Sequence, residues 1–274
     1  MPRRSSRLWS GAVASIVFLA VSQLPDLFRW VGVRRFITWP ISLGLRNALE
    51  VAIVALGVMF AHRFGLRRAA GELGLRRPIG RGLGFALLAT FPMLIAFAAA
   101  FHLNPDMTPF SIGVLCFAAP FAEEVVFRGY LFRQLYRRAR LGFWLSALIP
   151  SVLFAAGHLY QSNDRMELVG IVAITGSGSL GFCWAFVRWQ DNIWPVFALH
   201  SLMNLWWEVF AVDTTALGGW LANAARGATI LLALLLTIYR DRIWKPGRHA
   251  EAGGPDPGAA ESGPPGHRRP PHRR

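Results

Sequence analysis

The chain has 274 residues, of which 54% are apolar, with 11 Trp, 20 Phe and a mean hydropathy of +0.38. A net charge of +14 would suggest nucleic-acid binding in a water-soluble protein, but the basic residues fall mainly between long apolar stretches, so no nucleic-acid partner is expected. The two cysteines, Cys116 and Cys183, each lie within an apolar run, and they do not indicate a disulfide framework.

The apolar stretches are long enough to cross a bilayer, which takes about 20 residues per helix. They predict an all-α, polytopic integral membrane bundle of about eight transmembrane helices. The predicted spans are 8–24, 41–61, 82–102, 110–132, 142–159, 166–187, 193–211 and 220–239. We divide the chain into a membrane-embedded domain, 1–240, and a basic tail rich in Pro and Gly, 241–274, which its composition predicts to be disordered.

The first span has an alternative interpretation as a cleaved signal peptide. The basic stretch "RRSSRLW" resembles an n-region, and "AVSQ" at 20–23 resembles a small-residue cleavage site. Removal of this span would leave an odd number of helices and weaken the charge asymmetry described next. We therefore expect a retained helix.

The distribution of basic residues predicts the orientation of the bundle. With the N-terminus inside, 22 of the 29 basic residues lie on the cytoplasmic side and four on the opposite side, and the other three lie within spans. Both termini are thus expected to be cytoplasmic. One lysine against 28 arginines is typical of a GC-rich genome, which favours a bacterial inner membrane.

The fourth span contains three charged residues in the stretch "EEVVFR". An ionised side chain at the middle of a membrane helix costs about 2.5–3.5 kcal/mol on insertion scales, so Glu123, Glu124 and Arg128 must face a polar cavity. Glu124 and Arg128 are four residues apart and share a helix face, as an ion pair would. Glu123 points to another side, and its carboxylate is available to another partner.

Two later spans each carry a histidine with a companion one turn away. The fifth has "FAAGH", ending at His158, and the seventh has "HSLMN", with His200 and Asn204 on one face. Glu123 with His158 could hold and deprotonate a water molecule. His200 and Asn204 could donate hydrogen bonds to the oxyanion formed when that water attacks a peptide carbonyl.

The ordered trio E-E-x-x-x-R, F-x-x-x-H and H-x-x-x-N resembles the CAAX prenyl protease and bacteriocin-processing family, the glutamic intramembrane endopeptidases also called the Abi family. The resemblance covers roughly residues 110–210. It implies an all-helical fold of about eight spans and a membrane-associated protein or peptide substrate, with no cofactor. It also implies six site residues: Glu123 as the base, His158 as its partner, His200 and Asn204 as oxyanion donors, and Glu124 and Arg128 as organisers.

The resemblance does not fix the substrate. Eukaryotic members of the family trim three residues from prenylated CAAX termini, whereas many prokaryotic members serve peptide maturation, self-immunity or removal of sorting signals. The bond cleaved is expected to lie near the membrane-anchored or C-terminal end of the substrate.

Other mechanisms and functions remain open at this point. A zinc protease could use His158, His200 and a glutamate, although the H-E-x-x-H helix pattern is absent. A serine protease would need a nucleophile from "TGSGSLG", where Ser177 and Ser179 are more typical of helix packing. An aspartyl protease would need an Asp inside a span, and no predicted span has one.

Two hypotheses involve no hydrolysis. One is a non-catalytic immunity or scaffold protein. The other is a proton-coupled transporter with Glu50, Glu123, Glu124 and Glu208 as relays, which is weak because Glu50 and Glu208 are predicted to lie near span ends. Similarly, four tryptophans near the ends of the last two spans are interpreted as an aromatic interfacial belt: Trp194, Trp206, Trp207 and Trp220.

Overall fold

The computed structural model describes residues 4–244, and within this range the protein is helical without any β-strand. The chain up to Tyr239 forms one unit, and a second begins with the short helix α12, Arg240–Ile243. The first residues of the predicted tail, 241–274, belong to this helix and not to a disordered segment, and the tail from residue 245 onward lies outside the described residues. The helices of the first unit are α1 Arg4–Ser22, α2 Leu24–Val31, α3 Trp39–His62, α4 Leu66–Glu72, α5 Gly80–Ala89, α6 Phe91–Ala100, α7 Pro109–Ala139, α8 Phe143–Ala156, α9 Arg165–Arg188, α10 Ile193–Val209 and α11 Trp220–Ile238.

Six helices of the described chain are long and apolar enough to cross a membrane, or seven if the bent pair α5–α6 is one span. The remaining predicted span is α10, which is 17 residues long, at the short end of the range for a transmembrane helix. The eight predicted segments therefore each correspond to a helix or a bent pair. The prediction of an all-helical membrane bundle is confirmed.

The third predicted span is not one straight helix. α5 and α6 meet at Thr90 with a bend of 44°. Pro92 stands in the first turn of α6 and has no amide hydrogen to continue the helical hydrogen bonds. The Thr90 hydroxyl donates to the Ala86 carbonyl at 2.9 Å and accepts from the Trp206 indole at 3.1 Å, so the bend is tied to α10.

Helix α7 is the centre of the bundle, since it contacts α1, α3, α8, α9 and α10. Three stretches of α7 have π-helical, i to i+5, hydrogen bonding: Gly113–Ala118, Val125–Phe132 and Gln134–Ala139. Such stretches are uncommon and are frequently found at functional sites. The wider turns of these stretches decide which side chains of α7 face α3, α8 and α10.

Helix α1 packs into the core against α3 and α7. Val13, Ala14 and Phe18 are buried, and the Tyr130 hydroxyl of α7 donates to the Val13 carbonyl at 3.4 Å. The expectation that the first helix is retained stays a prediction.

The four tryptophans of the predicted aromatic belt differ in exposure. Trp220 is exposed, whereas Trp194 is half-buried and stacks on Phe121. Trp206 is half-buried and hydrogen-bonded to Thr90, and the half-buried Trp207 ring packs against other side chains of the bundle. The belt itself stays a prediction.

At one end of the bundle, α4, α7 and the α9–α10 turn are joined by ion pairs. Arg133 contacts both Glu72 and Asp191, Arg138 contacts Glu72 at 2.6 Å, and Arg137 contacts Asp191 at 2.9 Å. Burial tends to raise the pKa of Glu72, but Arg133 and Arg138 outweigh it and hold that pKa below its ordinary value. These pairs fasten the end of α7 to the start of α10.

We predict that Glu72 makes stability depend on pH. Because its pKa is lowered on folding, its contribution is fully present above the ordinary pKa of about 4.5 and is lost as pH falls through the lowered value. Glu72→Gln should lower the free energy of unfolding at pH 7 by about 1–3 kcal/mol. Thermal unfolding in detergent at pH 7 and pH 4 measures this. Asp26→Asn, which breaks an exposed pair with Arg29, is the control and should have little effect.

A second prediction concerns the close contact between Gly129 of α7 and the backbone of Leu73, which follows α4. A Cβ on Gly129 would lie 2.7 Å from the Leu73 carbonyl oxygen, whereas a Cβ on Gly178 of α9 would meet nothing within 4 Å. Gly129→Ala should therefore cost about 1–3 kcal/mol through overpacking, and Gly178→Ala should be neutral or stabilising. Equal unfolding temperatures for the two variants would contradict this contact.

Candidate active site

The charged residues of "EEVVFR" lie at the middle of α7. Glu123 and Glu124 end the α-helical stretch Ala119–Glu124, and Arg128 follows in the π-helical stretch. The Arg128 guanidinium donates to Glu124 Oε1 at 3.0 Å, and the two side chains are 1% and 0% exposed. The ion pair predicted from their spacing is present, and it lies fully inside the protein.

His200 of α10 contacts the same carboxylate oxygen as Arg128. Its Nδ1 lies 2.8 Å from Glu124 Oε1. An ionised carboxylate only accepts hydrogen bonds, so Nδ1 carries the hydrogen and donates it. Glu124 therefore holds both a guanidinium and an imidazole, and it fixes the direction in which the His200 Nε2 points.

Glu123 occupies a different environment from its neighbour. Its side chain is 35% exposed, and its Oε2 lies 3.7 Å from His200 Nε2, beyond hydrogen-bonding distance. Of the two adjacent glutamates, one is thus buried and ion-paired and the other is reachable by water. The sequence predicted different partners for the two glutamates and gave His158 as the partner of Glu123. In the structure, the imidazole within ion-pair distance of Glu123 is instead that of His200.

His158 lies just after the end of α8, in the turn that leads to Leu159–Gln161. Its Nδ1 is 2.8 Å from the Phe154 carbonyl oxygen, so Nδ1 donates and Nε2 is left to accept. Within residues 4–244 no hydrogen bond or ion pair joins His158 to Glu123. The Phe154 ring lies between the histidines, with its centroid 4.7 Å from that of His158 and 6.3 Å from that of His200.

Two phenylalanines enclose the buried arginine. The guanidinium carbon of Arg128 lies 4.9 Å from the centre of the Phe154 ring and 5.2 Å from that of Phe182, within the range of cation–π attraction. The Phe182 ring also lies 5.7 Å from that of His200. Phe154 belongs to a predicted motif, but Phe182 was not predicted, because nothing in its local sequence sets it apart from the other phenylalanines.

Asn204 lies one turn after His200 on α10, as the spacing predicted, and is half-buried. Its amide makes no side-chain hydrogen bond with the described part of the chain. Four of the six predicted site residues are thus in direct contact: Glu123, Glu124, Arg128 and His200. His158 is linked to this group through the Phe154 ring, and Asn204 lies one turn from His200 on α10.

A third carboxylate, that of Glu50, lies near this cluster. Glu50 stands near the middle of α3, and the expectation that it lies near a span end is wrong. It pairs with Arg46 at 3.2 Å and lies close enough to Glu123 for their charges to interact. The local sequence contains no motif at Glu50, so only the packing of α3 on α7 reveals its position.

The serine candidates lie in packing positions. Ser177 donates to the Ala173 carbonyl of its own helix, and Ser179 is buried. Between residues 4 and 244 no group of three or more His, Cys, Asp and Glu side chains is arranged to hold a metal ion. The zinc hypothesis is left to the chelation experiment below.

The two glutamates should differ in their effect on stability. Glu124→Gln leaves Arg128 buried without its counter-charge and should lower the free energy of unfolding by about 3 kcal/mol or more. Glu123→Gln removes a partly exposed charge whose only charged contact in the described chain, with His200, is 3.7 Å long, and it should cost less than about 1 kcal/mol. The unfolding temperatures of the two variants in detergent measure this difference. Equal decreases for both variants would contradict the finding that Glu124 is buried and ion-paired while Glu123 is partly exposed.

The comparison with known families agrees with the motifs. Residues 105–206 match the model of the Rce1-like family, described as type II CAAX prenyl endopeptidases. The matched segment contains all six predicted site residues. No curated protein and no solved structure matches the chain. The segment from 105 to 206 is therefore similar to the Rce1-like CAAX prenyl endopeptidases, and the resemblance predicted from the three motifs is confirmed.

Proposed function

We propose that the protein is a glutamic intramembrane endopeptidase in which Glu123 activates water. The observation that carries the proposal is the difference between the two glutamates: Glu124 is buried and bound by Arg128 and His200, whereas Glu123 is partly exposed and has His200 Nε2 as its nearest charged partner, at 3.7 Å. A carboxylate reachable by water, beside an imidazole held in a fixed orientation, is suited to general-base catalysis.

In the proposed reaction a water molecule between Glu123 and His158 attacks the carbonyl carbon of the scissile peptide bond. Glu123 takes one proton from that water as the C–O bond forms. The negative charge develops on the carbonyl oxygen, and His200 with Asn204 donates hydrogen bonds to it. The C–N bond then breaks as Glu123 gives its proton to the leaving amine, which completes the hydrolysis.

Each of the other groups has a supporting role in this scheme. Donation from His158 Nδ1 to the Phe154 carbonyl leaves Nε2 able to accept a hydrogen from the water. In the proposed scheme His200 acts as an imidazolium with a hydrogen on each nitrogen: Nδ1 donates to Glu124, and Nε2 donates to the oxyanion. Arg128 neutralises Glu124, and the substrate is a membrane-associated protein or peptide cleaved near its anchored or C-terminal end.

The orientation of the bundle is part of the proposal. The arginine distribution favours both termini in the cytoplasm of a bacterial inner membrane. The ion-paired end of α7, which carries Arg133, Arg137 and Arg138, would then lie on the cytoplasmic side, and His158 would lie toward the opposite side.

Substitution and chelation test this function together. We expect purified wild type in detergent to cleave members of a library of membrane-anchored peptides, read by mass spectrometry, and Glu123→Gln to slow that cleavage by about 10²–10⁴-fold. Asn204→Ala should slow it by about 10²–10³-fold through loss of an oxyanion donor. Glu208→Gln, a carboxylate of α10 outside the cluster, is the matched control and should retain activity.

The competing mechanisms give different results in the same assay. Cleavage unaffected by a zinc chelator agrees with a glutamic base, whereas activity lost on chelation and restored by zinc would assign the site to a metal. Full activity of Glu123→Gln would refute the proposed base. A well-folded wild type that cleaves nothing across the library would favour the immunity or scaffold hypothesis.

A further inference from the structure

The segment between α10 and α11, residues 212–219, contacts the first turns of α9, and we call this segment the strap. Both of its ends are held by the neighbouring helices. The Trp207 indole near the end of α10 donates to the Asp213 carbonyl oxygen at 3.2 Å. The Asn223 amide in the first turn of α11 donates to the Gly219 carbonyl oxygen at 3.1 Å. The proposed reaction uses no residue of the strap.

The strap packs closely on α9. A Cβ added to Gly170 would lie 2.7 Å from Leu217 Cδ1, so the Leu217 side chain rests on the backbone of α9 at a position where only a glycine leaves room. The chain then turns toward α11 at Gly218, whose φ of +68° is a left-handed conformation that glycine adopts without strain. The strap therefore has a defined place on α9.

Glu167, in the first turn of α9, joins the strap to the segment 157–164 between α8 and α9. Its Oε1 accepts from the Thr215 hydroxyl of the strap at 2.9 Å, and its Oε2 accepts from the Ser162 hydroxyl at 2.6 Å. Its own amide donates at 2.8 Å to the carboxylate of Asp164, which caps the helix. One carboxylate thus uses both of its oxygens to hold two segments that are far apart in sequence.

Gln161 makes a second link, and this link leads to His158. The side-chain oxygen of Gln161 accepts from the backbone amide of Ala216 in the strap at 2.8 Å. The backbone amide of Gln161 donates to the His158 carbonyl oxygen at 3.1 Å. Two hydrogen bonds and one glutamine therefore connect the strap to the backbone of a predicted site residue.

His158 lies beyond the end of α8, so the helix supports it from one side only. Its amide donates to the Ala155 carbonyl oxygen at 3.0 Å, and its Nδ1 donates to that of Phe154 at 2.8 Å. On the other side of His158 along the chain, the support comes from Gln161. A displacement of about 1 Å in a reacting or water-holding group can slow a reaction about 10²-fold, so this second support matters for the chemistry.

We propose that Gln161 and Glu167 are positioning residues, which together with the strap hold His158 at the place where it binds the water. The inference rests on the proposed endopeptidase function and extends it to a part of the chain outside the three motifs. Gln161 acts on the backbone of His158, and Glu167 fixes the strap against the same turn. Neither side chain contacts the reacting atoms in the proposed scheme.

The test observes the histidine ring directly and needs no turnover. The protein is labelled with ¹⁵N-histidine and studied by NMR in detergent, and the ring signal of His158 is assigned by its loss in His158→Gln. Gln161→Leu removes the oxygen that accepts from Ala216 and changes the side-chain size little. We expect this variant to shift or broaden the His158 signal. The signal of His62, which is bonded to Gln134 at 2.8 Å, is the internal reference and should not move.

The same variants are compared in the peptide-library assay, where Gln161→Leu should slow cleavage by about ten- to hundred-fold. The matched control is Asn163→Leu, because Asn163 lies in the same turn, is exposed and makes no hydrogen bond with residues 4–244. This control should change neither the ring signal nor the rate. Thr215→Val removes only the hydroxyl that binds Glu167, and it should shift the His158 signal even if Gln161→Leu fails to fold.

Two results overturn the inference. An unchanged His158 signal in well-folded Gln161→Leu and Thr215→Val would reduce the strap to a contact that stabilises the bundle. A shifted signal with an unchanged cleavage rate would show that the strap does not position His158 for the reaction. A wild type that cleaves nothing is a failure of the proposed function, and it is distinguishable because the ring signal is measured without any cleavage.

Discussion

The site depends on the neutralisation of one buried carboxylate. Glu124 is fully enclosed in the bundle, where an unpaired charge would cost several kcal/mol, and one of its oxygens, Oε1, contacts both a guanidinium and an imidazole. The positions of α7 and α10 are therefore tied to each other by a group that tolerates little displacement. The rings of Phe154 and Phe182 extend the same constraint to α8 and α9. Four helices thus converge on one carboxylate.

This arrangement separates two tasks that adjacent glutamates would otherwise share. Glu124 organises its neighbours and has no exposed surface for water, whereas Glu123 is partly exposed and lies beside His200. The two adjacent glutamates thus differ in role: one carboxylate holds the helices together, and the other is accessible to water. This difference agrees with the proposed protease, which must bring water into a membrane.

Sequence patterns predicted the parts of this structure that depend on local spacing. Eight apolar segments predicted the helices, and the four-residue separation predicted the Glu124–Arg128 pair. The bend at Thr90 had a local signal in Pro92, which the span prediction did not use. The contact of His200 with Glu124 could not be predicted in this way, because it joins residues 76 positions apart and depends on how α10 is aligned along α7. The contact of Phe182 with Arg128 could not be predicted either, because nothing in the local sequence distinguishes this residue from the other phenylalanines, of which the chain has 20 in all.

The ion pairs at the end of α7 have a consequence for how the protein can move. Arg133 lies nine residues after Glu124 on α7, and Asp191 lies nine residues before His200 in and before α10. The two antiparallel segments are therefore joined at two points, nine residues apart in each. A shift of α10 along α7 would disturb both contacts together. The two contacts thus oppose sliding of α10 against α7, and an opening motion is expected from helices outside this pair, such as the bent pair α5–α6.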